Sequence, residues 1–266
     1  MLFGKRGLEM GKRPKKQIVL FLVEGLSERN ALWTIMSELY EKIDENAEVF
    51  FCQMEEDGVV GGDITSRNGV TPEKIEMLMH KLVVGPLLDK ENIYPKDVTE
   101  IIQIVDLDGA YIPDENVVFP SEPLSEEHPV MYYADRIEAN NVQGIRNRNL
   151  RKRANIDYLC SRKEIKVKTK TVPYSVYYMS CNLDTFLHRE TNIPTGREKC
   201  DKAAQFYSQF DGDAMLAAKF FINDQDVAHG RTYEESWAYI RQGYNSLRRF
   251  SNINLLFEKL LTMING

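Results

Sequence analysis

Three short acidic motifs follow apolar runs in this chain. Glu24 ends the run from Gln17 to Val23 and precedes Gly25. Asp106 and Asp108, separated by Leu107, close the run from Ile101 to Val105. Asp184 follows the run from Val172 to Met179, with Ser180 and Asn182 in between. Carboxylates gathered in one place repel one another unless a cation neutralises them. Hard oxygen donors without His or Cys select Mg2+ or Mn2+ over zinc. In extended backbone, Asp106 and Asp108 point to the same side, about 7 Å apart along the chain. They can share one metal or flank two. Two metals about 4 Å apart stabilise the attacking and leaving oxygens of a phosphodiester displacement. Glu24 would complete a metal shell or handle protons, and Glu28, four residues further on, stays near the same edge if a helix follows.

The elements that must position these residues alternate. Gln17 to Val23 has the length and β-branched content of a buried strand. Ser27 then serves as N-cap to a helix carrying Ala31, Leu32, Ile35, Met36 and Leu39 at helical spacing. Ala47 to Cys52 reads as a second strand, and the Gly58, Gly61, Gly62 segment as a loop. Thr71-Pro72 opens a second helix that runs towards Val84, before Gly85-Pro86. Ile101 to Val105 is the third strand, and four prolines make 107–133 a long irregular excursion. Val142 to Cys160 reads as a helix, Val172 to Met179 as the fourth strand, and everything from Gly196 onward as helices. Strands alternating with helices predict a mostly parallel α/β sheet flanked by helices. In such sheets ligands sit beyond the carboxyl ends of the strands, where the acidic motifs fall. The expected organisation is a basic flexible leader over 1–16, an α/β domain over 17–190 with an insertion around 107–170, and a helical region over 191–266.

Composition sets outer bounds. A chain of 266 residues with 43% hydrophobic and 28% charged residues can bury a core, and is neither collagen-like nor wholly disordered. Four cysteines at 52, 160, 181 and 200 form no CxxC pair, so neither a structural zinc nor a disulfide framework is expected. The run Ile18 to Val23 is too short to span a bilayer or to serve as a secretory core, which points to a cytoplasmic protein without membrane association.

Charge is spread unevenly. Between Arg146 and Lys170, ten basic residues face two acidic ones, a local +8 that leaves −14 for the rest of a chain of net charge −6. This asymmetry predicts a phosphate-bearing partner, with Arg146, Arg148, Arg151, Lys152, Arg153, Lys163 and Lys166 as its contacts. Phosphate contacts carry no base information, so DNA and structured RNA such as tRNA are both open. The apolar and aromatic content of 196–266 also predicts a surface for self-association, such as a homodimer, or for a protein partner.

Together the motifs carry a resemblance. Val23-Glu24-Gly25-x-Ser27-Glu28 after one strand and Asp106-x-Asp108 after another resemble the TOPRIM domain. Tyr178 to His188 is similar to the strand-four motif of TOPRIM nucleases from bacterial anti-phage defence, of the overcoming-lysogenization-defect, abortive-infection and PARIS-effector types. The resemblance covers about 17–190. It implies a TOPRIM (Rossmann-like) fold and a Mg2+-dependent nuclease, often a toxic effector paired with an ABC-like ATPase. Carried over residue by residue, Glu24 is the first-motif glutamate, Asp106 and Asp108 the metal-binding pair, and Asp184 a supporting carboxylate where the defence nucleases more often show Glu. Two other readings stand beside it. Asp106-Leu107-Asp108-Gly109 resembles the motif of haloacid-dehalogenase-type phosphatases, with Ala110 in place of the usual Thr. The remaining reading is a non-catalytic interaction protein.

Overall fold

The computed structural model describes residues 16–192 and 196–266, so the expected leader lies almost wholly outside the described residues. The chain order is β1 (Gln17–Leu22), α1 (Leu26–Ile43), β2 (Ala47–Cys52), a small hairpin of β3 (Glu55–Glu56) and β4 (Val59–Val60), α2 (Pro72–Met79) and α3 (Gly85–Lys90). Next come β5 (Val98–Asp106), β6 (Val117–Val118), β7 (Val130–Tyr132), β8 (Ile137–Ala139) and α4 (Val142–Cys160). The chain closes with β9 (Glu164–Val167), β10 (Lys170–Ser180), α5 (Leu183–His188), α6 (Gly196–Phe206), α7 (Ala214–Asn223), α8 (Tyr233–Ile240), β11 (Phe250–Ser251) and α9 (Ile253–Asn265).

The central sheet runs in the order β11-β10-β5-β1-β2, with β9 pairing β10 off this path. Strands β2, β1, β5 and β10 are parallel to their neighbours, whereas β9 and β11 pair antiparallel with β10. The sheet is therefore mixed but mostly parallel, with helices on both faces. Alternation along each strand sorts side chains between two cores. Ile18, Leu20, Leu22, Ile101 and Val105 face α2, α4 and α8, meeting Ile75, Ile156 and Trp237. Val19, Phe21, Ile102, Ile104 and Met179 face α1, α7 and α9, meeting Leu32, Phe221 and Phe257.

Several elements differ from the sequence expectation. Helix α2 does not stop at Gly85-Pro86, because a π-helical turn over His80–Val84 carries the chain straight into α3. The widened π turn just before Pro86 accommodates a residue that has no N–H to return to the previous turn. The 107–133 excursion contributes β6 and β7, which pair with β8 in a small sheet over its own core of Ile112, Val117, Ile137 and Leu247. The C-terminal region is not wholly helical, since β11 adds a strand to the central sheet. Nor does it stand apart, because Phe206, Trp237, Ile240, Leu256, Phe257 and Leu260 are buried against that sheet's two faces. Among the described residues, no helix is long and apolar enough to cross a membrane.

Candidate metal centre

The register places the acidic motifs at one edge. Leu22 pairs with Gln103 and Met179 with Asp106, so Glu24, Asp106, Asp108 and the start of α5 all lie at the carboxyl ends of β1, β5 and β10. Two backbone features shape that edge. The loop after β2 folds back so that the Gly62 N–H donates to the Glu24 carbonyl at 2.8 Å, which brings the next residue, Asp63, against Glu24. At the end of β5 the N–H groups of Leu107 and Asp108 both donate to the Cys181 carbonyl, at 3.0 and 2.7 Å. Asp108 and Gly109 then turn through left-handed conformations, with φ of 49° and 67°. For a residue other than glycine that conformation stores strain, which is common at functional sites.

Glu24, Asp63 and Asp108 form the resulting centre, each offering a carboxylate oxygen within 4.8 Å of the other two. Into this triad α4 inserts Lys152, whose side chain has no exposed surface. Its Nζ lies 2.7 Å from Asp108 Oδ2, 3.0 Å from Asp63 Oδ2 and 3.4 Å from Glu24 Oε1. Burial opposes a charge on Lys152, but Asp108, Asp63 and Glu24 outweigh it and hold its pKa well above the ordinary value. Asp63 is likewise held below its usual range: Lys152 and hydrogen bonds from Thr65 and Ser66 overcome the effect of burial. Glu24 goes the other way. Burial raises its pKa well above the usual range, reinforced by Asp63, while Lys152 only partly restrains it.

Asp106 stands outside the triad. Its Oδ1 accepts the Leu183 N–H at 2.9 Å, and its own N–H donates to Glu24 Oε1 at 3.1 Å. Burial, then Glu28 and Glu24, push its carboxyl well above the usual range. Beyond it, Glu28 takes the Gly25 N–H at 2.9 Å, so α1 opens one residue before Ser27. Burial raises the Glu28 pKa. Asp184 is ion-paired to Lys199 at 3.1 Å, and its Oδ1 is buried without a hydrogen-bond partner. Asn182 Oδ1 caps α5 by accepting the Thr185 N–H, and Ser180 Oγ donates to the Asn245 carbonyl. The structure thus gives Asn182 and Ser180 architectural contacts and sets Glu28, Asp106 and Asp184 beside the triad.

Much of the basic segment expected to meet phosphates is paired within the chain. Lys152 is spent inside the triad. Arg148 donates to the carbonyl of Asp108 at 2.8 Å and to the Tyr132 hydroxyl at 2.7 Å. Arg146 and Arg151 donate to the carbonyls of Val117 and Ser66. Arg153 points towards Asp114 at 3.5 Å. Lys163 and Lys166 are exposed but belong to the wrong end of the sheet: Lys166 pairs with Thr171, whereas Met179 pairs with Asp106. Eight residues of β10 separate the two levels, about 26 Å at the rise of a strand.

Asp63 was missed in the sequence because no apolar run of strand length precedes it; β4 before it is only two residues long. Its only signal is the Gly61-Gly62-Asp63 sequence after the β3–β4 hairpin, where paired glycines, both at positive φ, permit a close return to Glu24. The donor set fits a hard divalent cation: all oxygen, from three carboxylates. No family of proteins, no curated protein and no solved structure matches this chain. The TOPRIM resemblance therefore rests on the three motifs.

Proposed function

We propose that the chain is a Mg2+- or Mn2+-dependent phosphodiester hydrolase acting on DNA or on an RNA such as tRNA. The observation that carries this reading is the convergence of Glu24, Asp63 and Asp108 within 4.8 Å at the carboxyl edge of a mostly parallel sheet. A bound cation would supply Lewis-acid neutralisation of the phosphoryl oxygens and a more acidic water. Asp63 and Asp108 would hold it, and Glu24, whose raised pKa suits proton exchange, would take the proton from the attacking water. Lys152 supplies one further positive charge, so that a divalent ion plus one ammonium balance three carboxylates and the edge does not repel a phosphate.

The phosphatase reading fares worse on the same geometry. It needs an ionised Asp106 as nucleophile and a protonated Asp108 as acid. Here burial favours the neutral form of Asp106, and Asp108 is paired with Lys152 at 2.7 Å. A role as an anti-phage effector governed by an ABC-like ATPase rests on the resemblance, since the C-terminal apolar groups are largely used in covering the sheet.

The test is cleavage of DNA and tRNA pools in Mg2+, Mn2+ or chelator by the parent, Asp63→Asn, Asp108→Asn and Glu24→Gln. Each variant should lose about 100-fold or more, given the several kcal/mol of charge stabilisation at stake. Cleavage at the parent rate by Asp63→Asn and Glu24→Gln would overturn the proposal. Hydrolysis of p-nitrophenyl phosphate that needs Asp106 but not Glu24 would favour the phosphatase.

A further inference from the structure

A second feature opens on the same edge. Tyr132 and Tyr133 of the small sheet, Thr185 of α5, Arg189 and Thr191 just after it, and Arg248 before β11 line a cleft of about 380 Å3. That is within the size range of small-ligand sites, and about that of one nucleotide. Its charges are unevenly spent. Arg249, nearly buried, grips Asp224 and Asp226 at 2.5 Å each and donates to the Phe186 carbonyl at 2.8 Å. Those two carboxylates lie only 4.0 and 3.7 Å from the largely exposed Arg189, so Arg189 is loosely held. Arg248 is exposed and has no ion pair among the described residues. Asp226 also lines the cleft, so Arg189, Arg248 and Arg249 against Asp224 and Asp226 leave a net +1 there, carried by two guanidinium groups that face solvent.

The cleft is wired to the triad. The Tyr132 hydroxyl takes a hydrogen bond from Arg148 at 2.7 Å, and the same guanidinium holds the Asp108 carbonyl at 2.8 Å. On the other wall, Thr185 sits two residues after Leu183, whose N–H holds Asp106. The Tyr133 ring is fixed by the Arg136 guanidinium, 4.2 Å from its centroid. Arginines with unspent charge beside an anchored aromatic ring are the chemistry that binds an unpaired nucleotide, phosphate to guanidinium and base to ring.

We infer that this cleft is the strand-gripping subsite, taking a nucleotide of single-stranded nucleic acid next to the bond cleaved at Glu24, Asp63 and Asp108. The inference rests on the phosphodiesterase reading for the chemistry at the triad, but the binding it describes does not depend on cleavage. It also replaces the 146–170 segment as the source of phosphate contacts, because most of that segment's charge near the edge is internally paired.

The experiment measures anisotropy of a fluorescent single-stranded dodecamer, DNA or RNA, in chelator at several salt concentrations. Variants are Arg189→Gln with Arg248→Gln, Tyr133→Leu, and Lys163→Gln with Lys166→Gln on the far edge. The double arginine variant should bind about tenfold or more weakly, with a salt slope smaller by about 1.4, two phosphates at about 0.7 each. Tyr133→Leu should lose about fivefold or more with the salt slope unchanged, because stacking carries no counterion. The far-edge variant should match the parent. Parent-like binding and slope in the arginine variant would overturn the subsite, as would failure of the parent to bind the dodecamer or its full displacement by equimolar mononucleotide. If the parent binds through these residues yet cuts with no metal, the subsite stands and the hydrolase reading falls. If the parent cuts and the arginine variant binds and cuts equally well, the hydrolase reading stands and the subsite falls.

Discussion

Lys152 Nζ lies 2.7 Å from Asp108 Oδ2 although the lysine side chain has no exposed surface at all. An ammonium so buried is held only by its carboxylate partners, and they in turn are held by it. One side chain of α4 thereby ties together the ends of β1 and β5 and the loop after β2. The pairing also lets three carboxylates fold into one place before any metal arrives.

Lys152→Met should therefore destabilise the protein by about 3–5 kcal/mol, the usual cost of leaving buried charge without its partner. Divalent cations should substitute for the missing ammonium. Millimolar Mg2+ or Mn2+ should raise the melting temperature of the variant more than that of the parent, because the ion binds only the folded triad. Thermal melts of both proteins, with chelator and with each metal, read this directly. Equal metal-induced shifts in parent and variant would show that Lys152 and the cation do not share a site.

Much of the framework is legible in the sequence because it is written in local patterns. Strands β1 and β2 appear as apolar runs, and α4 as a helix spanning the basic stretch, at the positions the structure gives them. The acidic ends of β1 and β5 are equally visible, since parallel sheets put strand ends where ligands bind. What escaped is long-range. Asp63 joins the triad only through a glycine loop returning to Glu24, a contact with no periodic signature. Lys152 looks like any other member of a basic run until α4 is docked, when it alone is turned wholly inward. The hairpin of β9 with β10 and the pairing of β11 depend on tertiary packing that overrides a polar or helical-looking local pattern.

Protonation should be felt at His188. Its Nε2 is buried without a hydrogen-bond partner, and its ring stands edge-on to Phe206 at 6.5 Å. Burial lowers its pKa below the ordinary 6.5 and Lys202 adds to this, with Asp184 and Glu190 pulling the other way. A histidine with a depressed folded pKa binds its proton better in the unfolded chain. Its contribution is thus complete above pH 6.5 and is lost as the pH falls from there through the folded value. The raised carboxyls of Glu24 and Asp106 titrate in parent and variant alike and cancel in the difference. Melting temperatures of the parent and His188→Phe between about pH 5.5 and 7.5 should run parallel at the alkaline end, with the parent falling away at the acid end. Parallel curves throughout would mean that His188 keeps its ordinary proton affinity in the fold.

Gly109 sets the turn that presents Asp108, and replacing it should expose the cost of that turn. At φ 67° a side chain is strained whatever the space, and here the space is also filled. A Cβ would lie 2.5 Å from Leu247 Cδ2 and 3.0 Å from Ile137 Cδ1. Gly109→Ala should cost about 1–3 kcal/mol through strain and overpacking together. It should also depress any metal-dependent activity, since Asp108 precedes it in the same left-handed turn and would shift with it. The two sources of cost can be separated by trimming the obstacle. Leu247→Ala alone opens a cavity and should be destabilising by about 2–5 kcal/mol. Combined with Gly109→Ala it gives the new methyl room, so the double variant should be more stable than the sum of the single losses predicts, by about 0.5 kcal/mol or more. Chemical denaturation of the four proteins completes the cycle. Strict additivity would place the cost in the backbone conformation alone, and the approach of Leu247 to the turn would then carry no energy.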